Sequence, residues 1–337
     1  MKLGLLLTGD ASSCVHAAQR AEAAGFDSVW AVDFQTSNAL VRLAAIAANT
    51  DRIKLGTGIA AAFTRSPLVL GTGALDIDAL SGGRLSLGLG TGLERMNQEW
   101  YGVEHGKPRS RVIELIALLR KLLITKGPGF AWPGDSWQLN IPAYQRPDIA
   151  RDNLPILLAG VNRRMIEAAG EHADGLIGHP VHTKKWHREV TQPLLAEAAS
   201  RTGRPLCPIV PHLITSIQSD VDQARADAKI QIGFSFSVEH YHSILDLHGL
   251  RSIGQACRAH LAKYDFKAMA QCIPDDLVDE IALVCTPDEA AQRLAQWQEF
   301  TDQPILFPAS IGVAPERFEE NLSHVMDLAR HTVAQTG

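Results

Sequence analysis

Apolar and polar positions along this chain repeat one phrase. A helical stretch rich in alanine stops at Gly or Asp and gives way to a short, unbroken apolar run. Residues 17–24 followed by Gly25, Phe26 and Asp27 lead into Ser28-Val29-Trp30-Ala31-Val32. Residues 165–171 followed by Ala173-Asp174-Gly175 lead into Leu176-Ile177-Gly178. A helix that ends at glycine, where the left-handed cap costs little, and then a strand apolar on both faces is the αβ step of a parallel sheet. The pattern predicts strands at residues 2–7, 28–32, 53–58, 85–90, 155–159, 175–178, 207–215 and 304–307, with helices between them, among them 109–126 and 183–201. Eight βα units predict a (β/α)₈ TIM barrel formed as a single domain over residues 1–337, and a doubly wound sheet is the structural alternative.

Two stretches interrupt the rhythm. Residues 127–139 carry Trp132, Pro133-Gly134 and Trp137, which reads as a hairpin insertion after strand four. Residues 232–279, rich in His and aromatics, form a helical insertion after strand seven, and insertions of that length usually build a wall of a barrel's pocket.

Composition narrows the function classes. The chain has 337 residues, 46% hydrophobic and 20% charged, with a net charge of −5. A mildly acidic chain without a basic block lacks the footprint of a nucleic-acid or anionic-membrane binder. The five cysteines, at 14, 207, 257, 272 and 285, form no CxxC, so reduced thiols are expected rather than disulfides or a zinc site. No apolar run approaches the ~18 residues of a membrane span. The expectation is a soluble cytoplasmic homodimer acting on a small molecule.

Barrel enzymes place chemistry at the carboxyl ends of the strands. Those ends read Val32-Asp33-Phe34, then Thr57-Gly58-Ile59 with Phe63 and Arg65 beyond, then Gly90-Thr91-Gly92 with Glu94 and Asn97. Gly160-Val161-Asn162-Arg163 and Gly178-His179-Pro180 with His182 complete the set. Glycine at a strand end lets backbone approach a flat ligand, though a tight turn needs glycine as well. The step at Gly160–Arg163 opens a helix beside an Arg, which suits a phosphate. Neither GxGxxG nor a P-loop is present. Asp33 has a bland reading as a helix cap or ion-pair partner, Glu94 as a solvated loop residue, and His179 and His182 as surface. His240 and His242 read as helix surface rather than zinc ligands, and no metal site is expected.

Several runs together resemble the bacterial luciferase-like superfamily. They are Gly25-Phe26-Asp27-Ser28-Val29-Trp30, Asp51 to Ile59, the specific Asp76 to Gly92 run with Leu80-Ser81-Gly82-Gly83-Arg84, Gly170 to Gly175, and Thr286 to Ala290. Ala62 to Pro67, Gly178-His179-Pro180 and Asp275 to Glu280 look closest to the branch using the deazaflavin coenzyme F-420. The resemblance implies a barrel with the coenzyme across the strand ends and a non-proline cis peptide at Gly58-Ile59. Its cofactor contacts would fall at Thr57, Gly58, Ile59, Gly90, Thr91, Asn97, Gly160, Val161, Asn162 and Arg163. Phe34, Phe63, His179 and His182 would line the substrate pocket. Where a sugar-phosphate dehydrogenase branch carries a catalytic histidine, this chain has Asp33, flanked by apolar Val32 and Phe34. Asp33 is therefore the expected proton donor, with Glu94 second. The implied activity is hydride transfer between coenzyme F-420 and a small organic substrate. The alternatives are an FMN-dependent monooxygenase and a flavin-binding protein without turnover.

Overall fold

A computed structural model describes residues 1–146, 151–301 and 303–334. Eight parallel strands close into a barrel: β1 Gly4–Leu6, β2 Ser28–Ala31, β3 Lys54–Thr57, β4 Leu85–Gly90, β5 Ile156–Gly160, β6 Leu176–Gly178, β7 Ile209–Ile217 and β8 Ile305–Pro308. Each pairs with the next in chain order, and β8 pairs with β1, which closes the ring. The (β/α)₈ expectation holds, and the open doubly wound sheet is excluded by that closure.

The outer layer contains α1 Ala11–Ala24, α2 Ala39–Ala47, α3 Pro67–Leu80, α4 Pro108–Ile124, α5 Arg163–His172, α6 Gln192–Thr202, α7 Val221–Phe236 and the final α8 Pro315–Ala334. The α1 turn shows why the αβ phrase was readable. Asp10 caps its start by accepting from Ser13 N at 2.8 Å, and Gly25 ends it at φ 89°, a conformation glycine adopts without penalty.

Side chains on the strands divide into two cores. The larger lies between barrel and helices, and the smaller, Leu6, Trp30, Leu157, Ile177, Val210 and Ile305, fills the lumen. Trp30 crosses the lumen against Gly56, where a Cβ would come within 2.3 Å of its ring. Above this plug Ile59, Ala159 and Phe307 are only partly buried and floor the mouth.

The hairpin pairs Phe130–Pro133 with Gln138–Ile141. Between β7 and β8 the chain runs through α7 and further short helices to Asp275–Ile281, then a strand at Leu283–Cys285 beside the end of β7. That strand escaped the sequence pattern because three residues carry no period. His242 departs from expectation: it is 3% exposed, with Nε2 at 2.9 Å from the Phe236 carbonyl, because its helix buries that face.

Candidate active site

The expected site residues stand at four places around the mouth of the barrel, the ends of β2 and β3 sharing one of them. At the first, β2 releases the chain at Asp33, whose backbone N–H donates to the Ile59 carbonyl at 2.9 Å. The Gly58-Ile59 peptide is cis. It forms a bulge between β3 and the short strand Ala60–Ala61, as the resemblance implied. Thr57 supports the bulge from below: its hydroxyl donates to Gly88 O at 2.7 Å and accepts from Gly88 N at 2.8 Å. Fully buried in this bridge, Thr57 holds β3 to β4.

Asp33 is buried and surrounded by donors. Its Oδ1 accepts from Ala39 N at 2.8 Å and Arg65 Nη2 at 2.9 Å; its Oδ2 accepts from Ala61 N at 2.9 Å and Arg65 Nη1 at 2.5 Å. The proton-donor expectation rested on apolar neighbours, and the structure corrects it. A carboxylate that accepts from two amides and a bidentate guanidinium has both oxygens committed to structural donors rather than lying bare among apolar neighbours. It ties the start of α2, the bulge and Arg65 into one unit. The Tyr101 hydroxyl is enclosed nearby without a partner, and burial, then the Asp33 charge, push its pKa up.

At the second place, Thr91 is half-buried and its carbonyl accepts from Asn97 Nδ2 at 2.8 Å. The same nitrogen lies 2.8 Å from His105 Nδ1, so the Asn97 amide is spent within the loop. Glu94 is exposed at the rim, meeting Gln98 at 3.3 Å. Phe63, expected in the pocket, is 6% exposed beneath the Arg111 guanidinium, 4.2 Å from its ring centre, with Trp137 beside it. Phe34 does stand at the rim, 42% exposed and edge-on to Trp100 at 5.5 Å.

The third place carries the helix start. Asn162 caps α5, accepting from Met165 N at 3.2 Å, and Arg163 opens the helix in solvent. Gly160 permits this turn, because a Cβ there would press on Ile166 N at 3.0 Å. The first amides of an α-helix and an adjacent guanidinium form a site for an anion.

The fourth place holds His179, half-buried and packed on Tyr241 at 4.1 Å between ring centres. His182 is placed behind the wall: 2% exposed, stacked on Trp186, its Nε2 at 3.2 Å from Val161 O. It supports the Gly160–Arg163 turn from the outside. One mouth residue was absent from the sequence-based set. His212 lies inside β7, 9% exposed, with Nε2 enclosed and unpartnered; burial lowers its pKa to about 4. The available signal was a lone polar residue two positions after the lumen-facing Val210 in an otherwise apolar strand. Among the described residues no His, Cys, Asp and Glu group could hold a metal ion, and no helix is long and apolar enough to cross a membrane.

Comparison with known proteins agrees with this architecture. A 5,10-methylenetetrahydromethanopterin reductase of Methanolobus tindarius is 29% identical over 308 residues, covering 90% of this chain and 91% of that protein. The solved coenzyme F-420-dependent tetrahydromethanopterin reductase of Methanopyrus kandleri superposes with a TM-score of 0.80 at 21% identity, over 99% of both chains. A monooxygenase from Streptomyces bottropensis superposes at 0.74 with 22% identity over the full length of both. The luciferase-like monooxygenase family model matches residues 4–303, from β1 almost to β8. The chain accordingly belongs to the luciferase-like monooxygenase family and is an oxidoreductase.

Proposed function

We propose that this oxidoreductase binds coenzyme F-420 across the barrel mouth and moves a hydride between it and a small organic substrate. The observation that carries the reading is the pairing of two features on one rim. A glycine-floored bulge at Gly58-Ile59 stands at one side, and the helix start at Asn162 and Arg163 at another. The fit is specific at Gly90, where a Cβ would collide with the Ile59 side chain at 2.7 Å, so the bulge keeps its shape only over glycine. Ile59, Gly90 and Thr91 would then face a flat ring, and Val161, Asn162 and Arg163 the phosphate of its tail. The cofactor supplies the hydride chemistry. The chain binds, orients and excludes water, with the helical segment after β7 closing over His179 through Tyr241. That closure also suits an FMN-dependent monooxygenase, whose reactive intermediate needs shielding.

Parallel titrations with F-420 and FMN, followed by fluorescence quenching, test the choice. F-420 should bind the more tightly; preference for FMN would move the assignment to the monooxygenase. Arg163→Ala should weaken either cofactor several-fold at low salt, as loss of one charge-assisted contact implies, and unchanged affinity would remove Arg163 from the site. For assembly we propose a homodimer through α2 and α3, whose Val41 and Val69 are 61% and 57% exposed. Sedimentation should give twice the 36.6 kDa of one chain, and a monomer at micromolar concentration would refute it. All five cysteines are free thiols, which supports a reducing compartment.

A further inference from the structure

β6 and β7 pair in parallel with Ile177 beside Val210 and Gly178 beside Pro211. Ile177 and Val210 both face the lumen, and strand side chains alternate. The next positions of that parity are His179 and His212, which the same register sets side by side at the mouth. Across the lumen stands Gly58, where a Cβ would come within 2.9 Å of His212 Nε2. The His212 ring therefore rests against the bulge, with Phe307 set against it at 6.4 Å between ring centres.

The surroundings decide where each ring carries its proton. His179 Nδ1 accepts the Val181 N–H at 3.4 Å, so its own proton sits on Nε2. His212 Nε2 is enclosed without an acceptor, and a proton there would be an unpaired buried donor. Its Nδ1 is not enclosed, and the proton belongs there. We propose that His179 Nε2–H and His212 Nδ1–H form a two-donor site for a carbonyl oxygen at the floor of the barrel mouth. Burial holds both rings neutral near pH 7, so each has one N–H to offer. Neutral donors fixed before the ligand arrives suit an uncharged oxygen that gains negative charge during reaction. That oxygen belongs either to the pyrimidinedione edge of a deazaflavin or flavin, or to a substrate ketone or aldehyde. Only this choice of source rests on the cofactor reading above. The donor pair itself stands on the barrel geometry.

The test uses protein labelled with nitrogen isotope at histidine, without cofactor, near neutral pH. Long-range proton–nitrogen spectra should show the Nε2–H tautomer for His179 and the Nδ1–H tautomer for His212, assigned with His179→Gln and His212→Asn. The opposite tautomer at either residue overturns the proposal on the unaltered protein. Additions of FMN, F-420 and cyclohexanone then separate the sources. Shifts at both histidines with FMN or F-420 place the oxygen on the cofactor; shifts with cyclohexanone alone place it on a substrate. In the responding arm His179→Leu or His212→Leu should weaken binding about tenfold, the scale of one hydrogen bond. His179→Gln and His212→Asn, which each keep a donor near the original nitrogen, should stay within about threefold. No response to any of the three ligands overturns the proposal. A protein that binds neither cofactor but keeps both tautomers and answers the ketone refutes the cofactor reading and leaves the donor pair standing.

Discussion

Asp33 carries four hydrogen bonds on two oxygens, and every one comes from a donor. Asn at this position would keep the shape and reverse half the chemistry. One oxygen becomes an NH₂ that faces an amide N–H and a guanidinium, donor against donor. Breaking a buried ion pair from one side costs about 3–5 kcal/mol, because the partner charge is left without compensation. Asp33→Asn should therefore lower the unfolding free energy by that amount, with a lower denaturant midpoint, and weaken cofactor binding with it, since the bulge hangs from the same carboxylate through Ala61. Arg65→Leu should cost a similar amount, and the double variant less than the two together. Equilibrium unfolding of the three variants checks this, and an Asp33→Asn protein of unchanged midpoint would show that the pair holds nothing. The same residue marks a limit of reading chemistry from sequence. Val32 and Phe34 imply a desolvated acid, but the deciding partner, Arg65, lies 32 positions away and arrives only when β3 settles beside β2.

At the scale of elements, the most specific motif in the chain serves the fold. Within its Leu80 to Arg84 part, Gly82 and Gly83 turn the chain at φ 67° and 88°, and Arg84 then donates to the carbonyls of Ala47, Thr50, Ile53 and Ser81. All of this lies at the amino end of β4, on the side of the barrel away from the mouth. A motif of backbone geometry is legible because glycines and an arginine must sit in fixed order, and that legibility carried the architecture rather than the chemistry. The α5 start shows the opposite balance. Gly160 lets the helix approach β5, and an added methyl would meet Ile166 N and Leu176 Cδ1 at 3.0 Å and the Met165 carbonyl carbon at 3.1 Å. Two of those three neighbours are backbone and cannot swing aside. Gly160→Ala should cost about 1–3 kcal/mol of stability through overpacking. It should also weaken cofactor binding more than Gly203→Ala, a change at a cap outside the mouth. Equal loss of affinity in the two variants would separate α5 from the binding site.

For the whole molecule, the eight strands were legible because each is announced by its own helix and turn, whereas the mouth is made by closure. His179 and His212 come from neighbouring strands, and Asp33 and Arg65 from another pair. No local pattern links them, and His212 reads as one polar letter in an apolar run. Closure also buries a set of imidazoles whose collective behaviour belongs to no single element. His182 and His212 have pKa values lowered by burial to about 4, and burial holds His179 and His187 well below the usual range. At His182 and His212 the unfolded chain takes up protons near pH 6.5, while the folded chain resists them until about pH 4. Stability is therefore full above about pH 6.5, falls as pH drops toward about 4, and loses nothing more from these groups below that. Each of His182 and His212 contributes on the order of 3 kcal/mol to that fall. His187 isolates the effect, since it is fully buried with both ring nitrogens unpartnered and stands clear of the mouth, against His182 and Phe300. An apolar ring of similar size removes an unsatisfied polar group and a site the folded state cannot protonate. His187→Phe should match or exceed the parent midpoint at pH 7.5 and lose less stability by pH 5. Calorimetric or denaturant midpoints across that window decide it. A variant that tracks the parent at every pH would show that carboxylates alone set the acid limit, and that burial of His187 carries no cost in protons.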